Sequence, residues 1–368
     1  MKTYKNIYDS FISEENIKLA IHNGSKNKRN RPLVKKILDN QDEYIPKFQE
    51  MCEDYHNHKH SPKEIYDGIT RKKRTILVPT QYEQVVHHMA VNILKPIFMK
   101  SMYEHSYGSI PGRGAHLAKK RIERWLYNDT KNTKYCLKMD VKKYFDSIPH
   151  DILKRKLSRI IKDEKFLKIL FTIIDIQEVG IPLGFYTSQW FANFYLSELD
   201  HYIKEHLHAK YYVRYMDDMV ILGGNKRQLH KMQICIEKYL KEELGLTLKE
   251  NWQVFKIEYI DKNGKRHGRP LDFMGFKFYR NRVTLRRNIM LRSSRKARRI
   301  YKKDKPTVYE CKQFLSYIGW LSATDTYGFY EKWIKPYVCI KYLKKRISNY
   351  DRRNNSLCGT KQNTVIYH

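Results

Sequence analysis

The sequence has 368 residues and sets 72 Lys and Arg against 39 Asp and Glu, a formal net charge of +33. An apolar fraction of 41%, with 29 Tyr and 15 Phe, supports a packed core and excludes a disordered basic tail. No run of about 18 apolar residues occurs, which excludes a spanning helix, and the N-terminal MKTYKNIYDSFISEEN lacks the apolar stretch of a secretory signal.

The chain therefore reads as soluble and cytoplasmic, with no membrane partner. Its positive surplus self-repels unless a polyanion neutralises it, and nucleic acid is the usual polyanion. A ribosome-associated protein or a lysine-rich proteome would account for the charge more blandly. The six cysteines form no Cys-x-x-Cys pair, so they read as thiols of a reducing compartment.

In chain order, an N-terminal helix meets a polar, basic break at 23–31, and a helical pattern covers 35–55. Residues 69–79 alternate and carry β-branched side chains, which predicts a strand. Residues 82–125 are mostly helical, interrupted by a Gly- and Pro-containing loop at 107–114. A short apolar run at 135–141 suits a buried strand, followed by a helix to about 163. A turn at 180–184 precedes a helix over 188–206. Residues 211–222 predict a hairpin with a polar centre, and 230–243 an amphipathic helix. A second hairpin is expected at 273–279 and 282–287. Residues 282–305 then hold eleven Lys and Arg against one acid. Residues 308–347 are helical, and 349–368 read as a polar, loosely ordered tail. Strands mixed with helices around a small sheet, then a helical appendage, make the fold class α+β.

Clustered acids stand out in so basic a chain. Asp217 and Asp218 sit between apolar arms, where only a tight hairpin can present both carboxylates to one region. Asp140 ends a predicted buried strand, where an ionised acid is costly without a cation or hydrogen-bond partners. A solvated Asp-Asp turn and a turn-capping Asp140 are the competing readings. Three carboxylates converging at strand ends could instead hold two Mg²⁺ ions about 3.5–4 Å apart, a geometry suited to in-line phosphoryl transfer.

Several segments resemble reverse transcriptases. Tyr215-Met216-Asp217-Asp218 is similar to their YxDD motif, and Lys138-Met139-Asp140-Val141-Lys142-Lys143-Tyr144-Phe145 to their first palm motif. Phe273-Met274-Gly275-Phe276 resembles the primer-grip hairpin. Residues 71–79 resemble the fingers strand, and 106–118 a loop and helix of bacterial and group II intron-type enzymes. The motifs keep the family's order over about residues 60–345.

The resemblance implies a right-hand polymerase. A helical extension would occupy 1–60, fingers 61–135 and 152–187, palm 136–151 and 188–279, thumb 280–347, and a tail 348–368. It implies RNA-directed DNA synthesis, with Asp140, Asp217 and Asp218 as catalytic metal ligands, joined by the Val141 carbonyl. The cofactor would be two Mg²⁺ ions, with Mn²⁺ able to substitute. Lys72, Arg74, Phe145, Leu183, Gly184 and Gln189 would contact the incoming deoxynucleoside triphosphate. Phe145 would act as the gate against a ribose 2′-hydroxyl; core packing is its other reading. Arg113, Arg286, Arg287, Arg292, Arg295, Lys296, Arg298 and Arg299 would track the RNA template and the DNA or RNA primer.

Two departures refine the resemblance. The fourth motif reads Pro182-Leu183-Gly184 with Ser188-Gln189, where most relatives have Pro-Gln-Gly and Ser-Pro. That pattern resembles error-prone enzymes of diversity-generating retroelements, which work with a small basic accessory protein. In the fifth motif, Trp252 stands near an expected Lys, with Lys249 a candidate substitute. The alternatives are an antiphage-defence reverse transcriptase with a structured non-coding RNA, and a non-catalytic RNA-binding protein.

Overall fold

The computed structural model describes residues 2–58, 60–66 and 73–357, and its chain divides into two units. The first joins Met1–Arg121 to Asp129–Lys256; the second joins Ile122–Asn128 to the chain from Ile257 onward.

Four helices open the first unit: α1 (Tyr8–Phe11), α2 (Glu14–Gly24), α3 (Pro32–Asp39) and α4 (Gln41–Glu53). Ser13 caps α2 by accepting from the Asn16 amide, and Glu14 and Glu15 complement its positive end. Pro32 begins α3, where a missing N–H leaves no intrahelical bond unmade. The helical pattern over 35–55 is in fact two helices, because Asn40 leaves helical geometry at φ −126° and ψ 43°. Phe11, Ile17, Ile37 and Phe48 from these helices share one core with the later elements, so residues 1–60 are not a separate appendage.

The strand expected over 69–79 is the second arm of a hairpin. β1 (Pro62–Tyr66) pairs antiparallel with β2 (Lys73–Leu77), and Ile65 faces Arg74. Lys72 and its neighbours at 67–71 lie outside the described residues.

Helix α5 (Gln81–Met99) runs through this core, burying Val86, Met89, Ala90 and Leu94. Its start is tied down by charge. Thr80 accepts from the Glu83 amide at 3.2 Å, and Glu83 accepts from the Thr80 amide at 2.7 Å, a reciprocal capping box. Glu83 also contacts His60 Nε2 at 2.8 Å and His58 Nδ1 at 3.1 Å, while its own side chain is 1% exposed. Burial alone would raise the Glu83 pKa, but the bonds from His60 and Thr80 outweigh it and hold the carboxyl at about 2.

The remaining elements of this unit build the sheet and cover it. They are α6 (Ala115–Asn128), whose residues contribute to both units, β3 (Tyr135–Asp140), α7 (Tyr144–Ser147), α8 (His150–Ile160) and α9 (Glu164–Ile174). Then come α10 (Tyr186–Tyr195), α11 (Ser197–His201) with a π-helical turn at Tyr202–His206, β4 (Tyr211–Tyr215), β5 (Asp218–Gly223), α12 (Lys226–Glu242) and β6 (Gln253–Lys256). The sheet order is β4-β5-β3-β6, antiparallel throughout. Leu137, Met139, Met219 and Ile221 bury against helices. Helix α9, an apolar segment that pattern reading passes over, is capped by Asp163, whose other oxygen takes the Ile7 and Tyr8 amides.

The second unit begins with the short pair β7 (Tyr259–Ile260) and β8 (Arg266–His267). Next, β9 (Leu271–Phe273), β10 (Phe276–Phe278) and β11 (Val283–Leu285) form an antiparallel sheet with β10 at its centre. Met274 and Gly275 join the first two at φ +51° and +88°, the conformation a two-residue hairpin requires. Four helices follow: α13 (Arg287–Tyr301), α14 (Val308–Ser322), α15 (Tyr327–Trp333) and α16 (Ile340–Leu357). Residues 257–279 therefore pack with the helices after them. The tail expected from 348 starts instead as helix, because α16 runs on through Leu357. No helix among the described residues is long and apolar enough to cross a membrane.

Glu83→Gln should lower stability by about 1–3 kcal/mol at pH 7, as expected for a buried charge-assisted network. A carboxyl held below its unfolded value of about 4.3 contributes stability above that pH and loses it as pH falls toward 2. Denaturation across pH should therefore show the gap to wild type closing below about pH 4. A gap independent of pH would contradict this role.

Candidate active site

The hairpin expected at 211–222 forms, and its register brings the acids together. β4 and β5 pair with Tyr215 opposite Asp218, leaving Met216-Asp217 as a two-residue turn with Met216 at φ +56°. On the other side of β5, β3 pairs with Asp140 directly opposite Asp218. Residues opposite each other in an antiparallel pair point to the same face, so these two carboxylates share one side of the sheet. The Val141 amide donates to the Asp217 carbonyl at 3.4 Å, tying the turn to the end of β3.

Electrostatics fit this crowding. Burial pushes Asp217 up, and the neighbouring Asp140 carboxylate pushes it further, to about 6. Two lysines offset the negative charge. Lys249 Nζ lies 2.5 Å from Asp140 Oδ2, and Lys138 Nζ lies 3.6 Å from Asp218 Oδ2. Backbone pairing places the first of them. The Lys249 amide donates to the Asp140 carbonyl at 2.8 Å, and Val141 bridges Leu248. Trp252, at the sequence position where a lysine was expected, packs against the core and meets the His230 ring edge-on.

The donor set suits a hard divalent cation. Asp140 Oδ1 is buried and receives no hydrogen bond, and carboxylate oxygens are the ligands Mg²⁺ prefers. Among the described residues, no three His, Cys, Asp or Glu side chains converge as a ready-made cage. Mg²⁺ commonly takes one or two carboxylates from protein and completes its shell with substrate phosphates and water, so such a cage is not required.

The residues expected at the nucleotide lie on neighbouring segments. Phe145 is half-buried against Tyr144, and its carbonyl accepts from Ile181, the residue before Pro182. Leu183 accepts from the Leu77 amide at 2.8 Å, which docks the fourth-motif turn on the end of β2. Gly184 has φ +111°, and a Cβ there would sit 2.1 Å from the Leu77 carbonyl oxygen. Arg74 and Gln189 are solvent-exposed.

Of the expected nucleic-acid contacts, Arg113 is turned to its own loop, donating to the Tyr103 and Ser106 carbonyls. Arg286 is paired with Asp272. Arg287, Arg295, Arg298 and Arg299 are exposed on α13, opposite its buried Ile289, Ala297 and Ile300; Arg292 and Lys296 are half-buried. The Arg298 guanidinium lies over the Trp333 and Tyr337 rings at 5.3 and 5.4 Å.

Residue-type reading missed what supports the turn. Arg214 and Asp200, both wholly buried, form a two-point ion pair of 2.8 and 2.6 Å, and Tyr212 donates to Asp200 at 2.7 Å. The available signal was a lone arginine inside the apolar strand Tyr212-Val213-Arg214-Tyr215, which burial permits only with an acid partner. Gly184→Ala should lower stability by about 1–3 kcal/mol through overpacking at the Leu77 carbonyl. A thermal melt unchanged from wild type would show that the turn and β2 are not held as described.

The residues from 57 to 278 match the family described as "Reverse transcriptase (RNA-dependent DNA polymerase)". The chain is 28% identical over 206 residues to the Retron Ec73 reverse transcriptase of Escherichia coli, covering 51% of this chain and 62% of that one. It is 26% identical over 144 residues to the group II intron-encoded protein LtrA of Lactococcus lactis, covering 36% and 23%. It thus spans less than two thirds of the length of either relative. The apo telomerase of Candida tropicalis aligns with a TM-score of 0.48 at 14% identity, over 86% of this chain and 62% of that one. With its motifs in order and the family match covering well over half its length, the chain belongs to the reverse transcriptase family.

Proposed function

We propose that this chain is an RNA-directed DNA polymerase, a nucleotidyltransferase that extends a DNA or RNA primer on an RNA template. The observation that carries the reading is the register placing Asp140 opposite Asp218, with the half-buried Asp217, its carboxyl pushed above the usual range by burial and by Asp140, in the adjoining turn. Such convergence of like charges is unfavourable unless a cation is to be held.

Asp140, Asp217 and Asp218, with the Val141 carbonyl, would hold Mg²⁺, and Mn²⁺ could replace it. When bound, such ions lower the barrier to attack by a primer 3′-hydroxyl and stabilise the departing pyrophosphate. The protein's own part is positional. The antiparallel register sets the spacing of Asp140 and Asp218, and Lys249 balances the charge on Asp140. Arg74 on exposed β2, with Lys72, would meet the triphosphate, and the Phe145 ring would exclude a 2′-hydroxyl. Leu183, Gly184 and Gln189 would line the nucleotide's other side. The exposed arginines of α13 would follow the phosphate backbone, an interaction that salt weakens.

Within this activity, the reading favoured by Leu183 is an error-prone enzyme of a diversity-generating retroelement, assisted by a small basic protein. The apolar Leu183 side chain would offer no hydrogen bond at a position where Gln is usual, weakening discrimination between bases. The second reading is an antiphage-defence reverse transcriptase with a dedicated structured non-coding RNA; the likeness to the retron enzyme supports reverse transcription under either reading. Sequencing RNA that co-purifies with the protein separates the two: a template repeat supports the first, one structured species the second.

Primer extension on an RNA template with Mg²⁺ should proceed with wild type and fall about 1,000-fold or more in Asp217→Ala and Asp140→Ala, since each tenfold is about 1.4 kcal/mol of transition-state stabilisation. Residual extension within tenfold of wild type would contradict the assignment. Leu183→Gln should narrow the misincorporation spectrum without abolishing synthesis. An unchanged spectrum removes Leu183 from base selection.

A further inference from the structure

Beneath the Met216-Asp217 turn lies a wholly buried polar network. Arg214 carries five N–H donors, and every one is used. Nε and one NH2 hydrogen go to the two oxygens of Asp200, at 2.8 and 2.6 Å. The other NH2 hydrogen points to the Asn193 carbonyl at 3.4 Å, and NH1 donates to Asn193 Oδ1 at 3.2 Å. The last bond, NH1 to the Met216 carbonyl at 3.0 Å, leaves the buried network and reaches the turn itself. Asn193 continues the grip: the two hydrogens of its Nδ2 are divided among three acceptors, the Gly108 carbonyl at 2.9 Å, the Gln189 carbonyl at 3.1 Å and Met216 Sδ at 3.4 Å, so one hydrogen is shared. Gly108 closes the third side, since a Cβ there would fall 2.6 Å from the Met216 amide nitrogen and 2.5 Å from its Cγ.

Met216 is thus gripped at carbonyl, sulfur and backbone while holding φ +56°, a conformation unfavourable for an unbranched side chain outside a turn. Asp217 is the next residue, so any freedom in Met216 becomes freedom in the carboxylate. We infer that Arg214, Asn193 and Gly108 are positioning residues, which fix the Met216 backbone so that Asp217 is presented to the reacting groups in one place. Asp200 and Tyr212 serve this clamp by neutralising and orienting the guanidinium. The Arg214 backbone pairs with the 105–107 segment, its amide donating to the His105 carbonyl and its carbonyl accepting from Tyr107, and it lies opposite Met219 in the β4–β5 register, so strand pairing does not depend on its side chain. The inference rests on the polymerase reading and deepens it.

The test separates holding the fold from holding the turn. Replacing a buried ion pair wholesale by apolar groups of similar size is often neutral for stability, whereas removing one partner strands the other charge. The variant is therefore Asp200→Leu with Tyr212→Phe and Arg214→Met together. It should melt within a few degrees of wild type. Its kcat in primer extension should fall about 10- to 100-fold, with the KM for deoxynucleoside triphosphate changed less than about threefold, as for a group lost only from the transition state. Amide hydrogen exchange at residues 215–218 should accelerate at least tenfold, while β3 amides stay protected. Asn193→Ala, which leaves the ion pair whole, provides the same readouts if the triple variant does not fold. A folded variant with kcat within twofold of wild type, or with unchanged exchange at the turn, overturns the inference. If wild type itself shows no extension, the polymerase reading fails and the catalytic role of the clamp falls with it; faster exchange would then mark a purely structural device.

Discussion

Register is the constraint on which this architecture depends. Asp140 faces Asp218 across β3 and β5, and a two-residue turn places Asp217 beside them. A slip of one residue would send Asp140 to the face that buries Leu137 and Met139, and Met139 to the face of Asp218. That slip is opposed by the alternation itself, since Leu137, Met139, Met219 and Ile221 are all buried on the opposite side. The same apolar pattern that folds the sheet therefore aligns the acids.

Holding like charges together has to be supported from outside the pair. Lys249 and Lys138 reach the Asp140 and Asp218 carboxylates, and the Arg214 network holds the turn from below. The two supports differ in kind. The lysines are half-exposed, flexible point charges, able to yield to another cation. The guanidinium is planar, buried and fully bonded, so it has a single arrangement. An adjustable charge thus sits beside a rigid frame at the turn.

Much of this was legible in the sequence because it follows from period and punctuation. The 211–222 hairpin, the strand ending at Asp140 and the Gly180–Gly184 turn are signalled by apolar alternation and glycine. Other features depend on contacts between distant residues, which no local pattern encodes. Arg214 and Asp200 are 14 positions apart, and Lys249 reaches Asp140 across 109. Asn40 splitting a helical pattern, and α16 continuing through a polar segment, show local propensity yielding to the surrounding chain. Arg113 shows the converse: its residue type suggested a phosphate contact, but two loop carbonyls take its donors.

The most direct test of the account is where a divalent cation binds. Anomalous diffraction from crystals of the protein grown with Mn²⁺, an RNA template, a primer and a non-hydrolysable deoxynucleoside triphosphate would locate it. The account predicts Mn²⁺ bonded to oxygens of Asp140 and Asp217, with the Lys249 ammonium displaced from Asp140. Mn²⁺ bound elsewhere, with Lys249 still seated on Asp140, would contradict it.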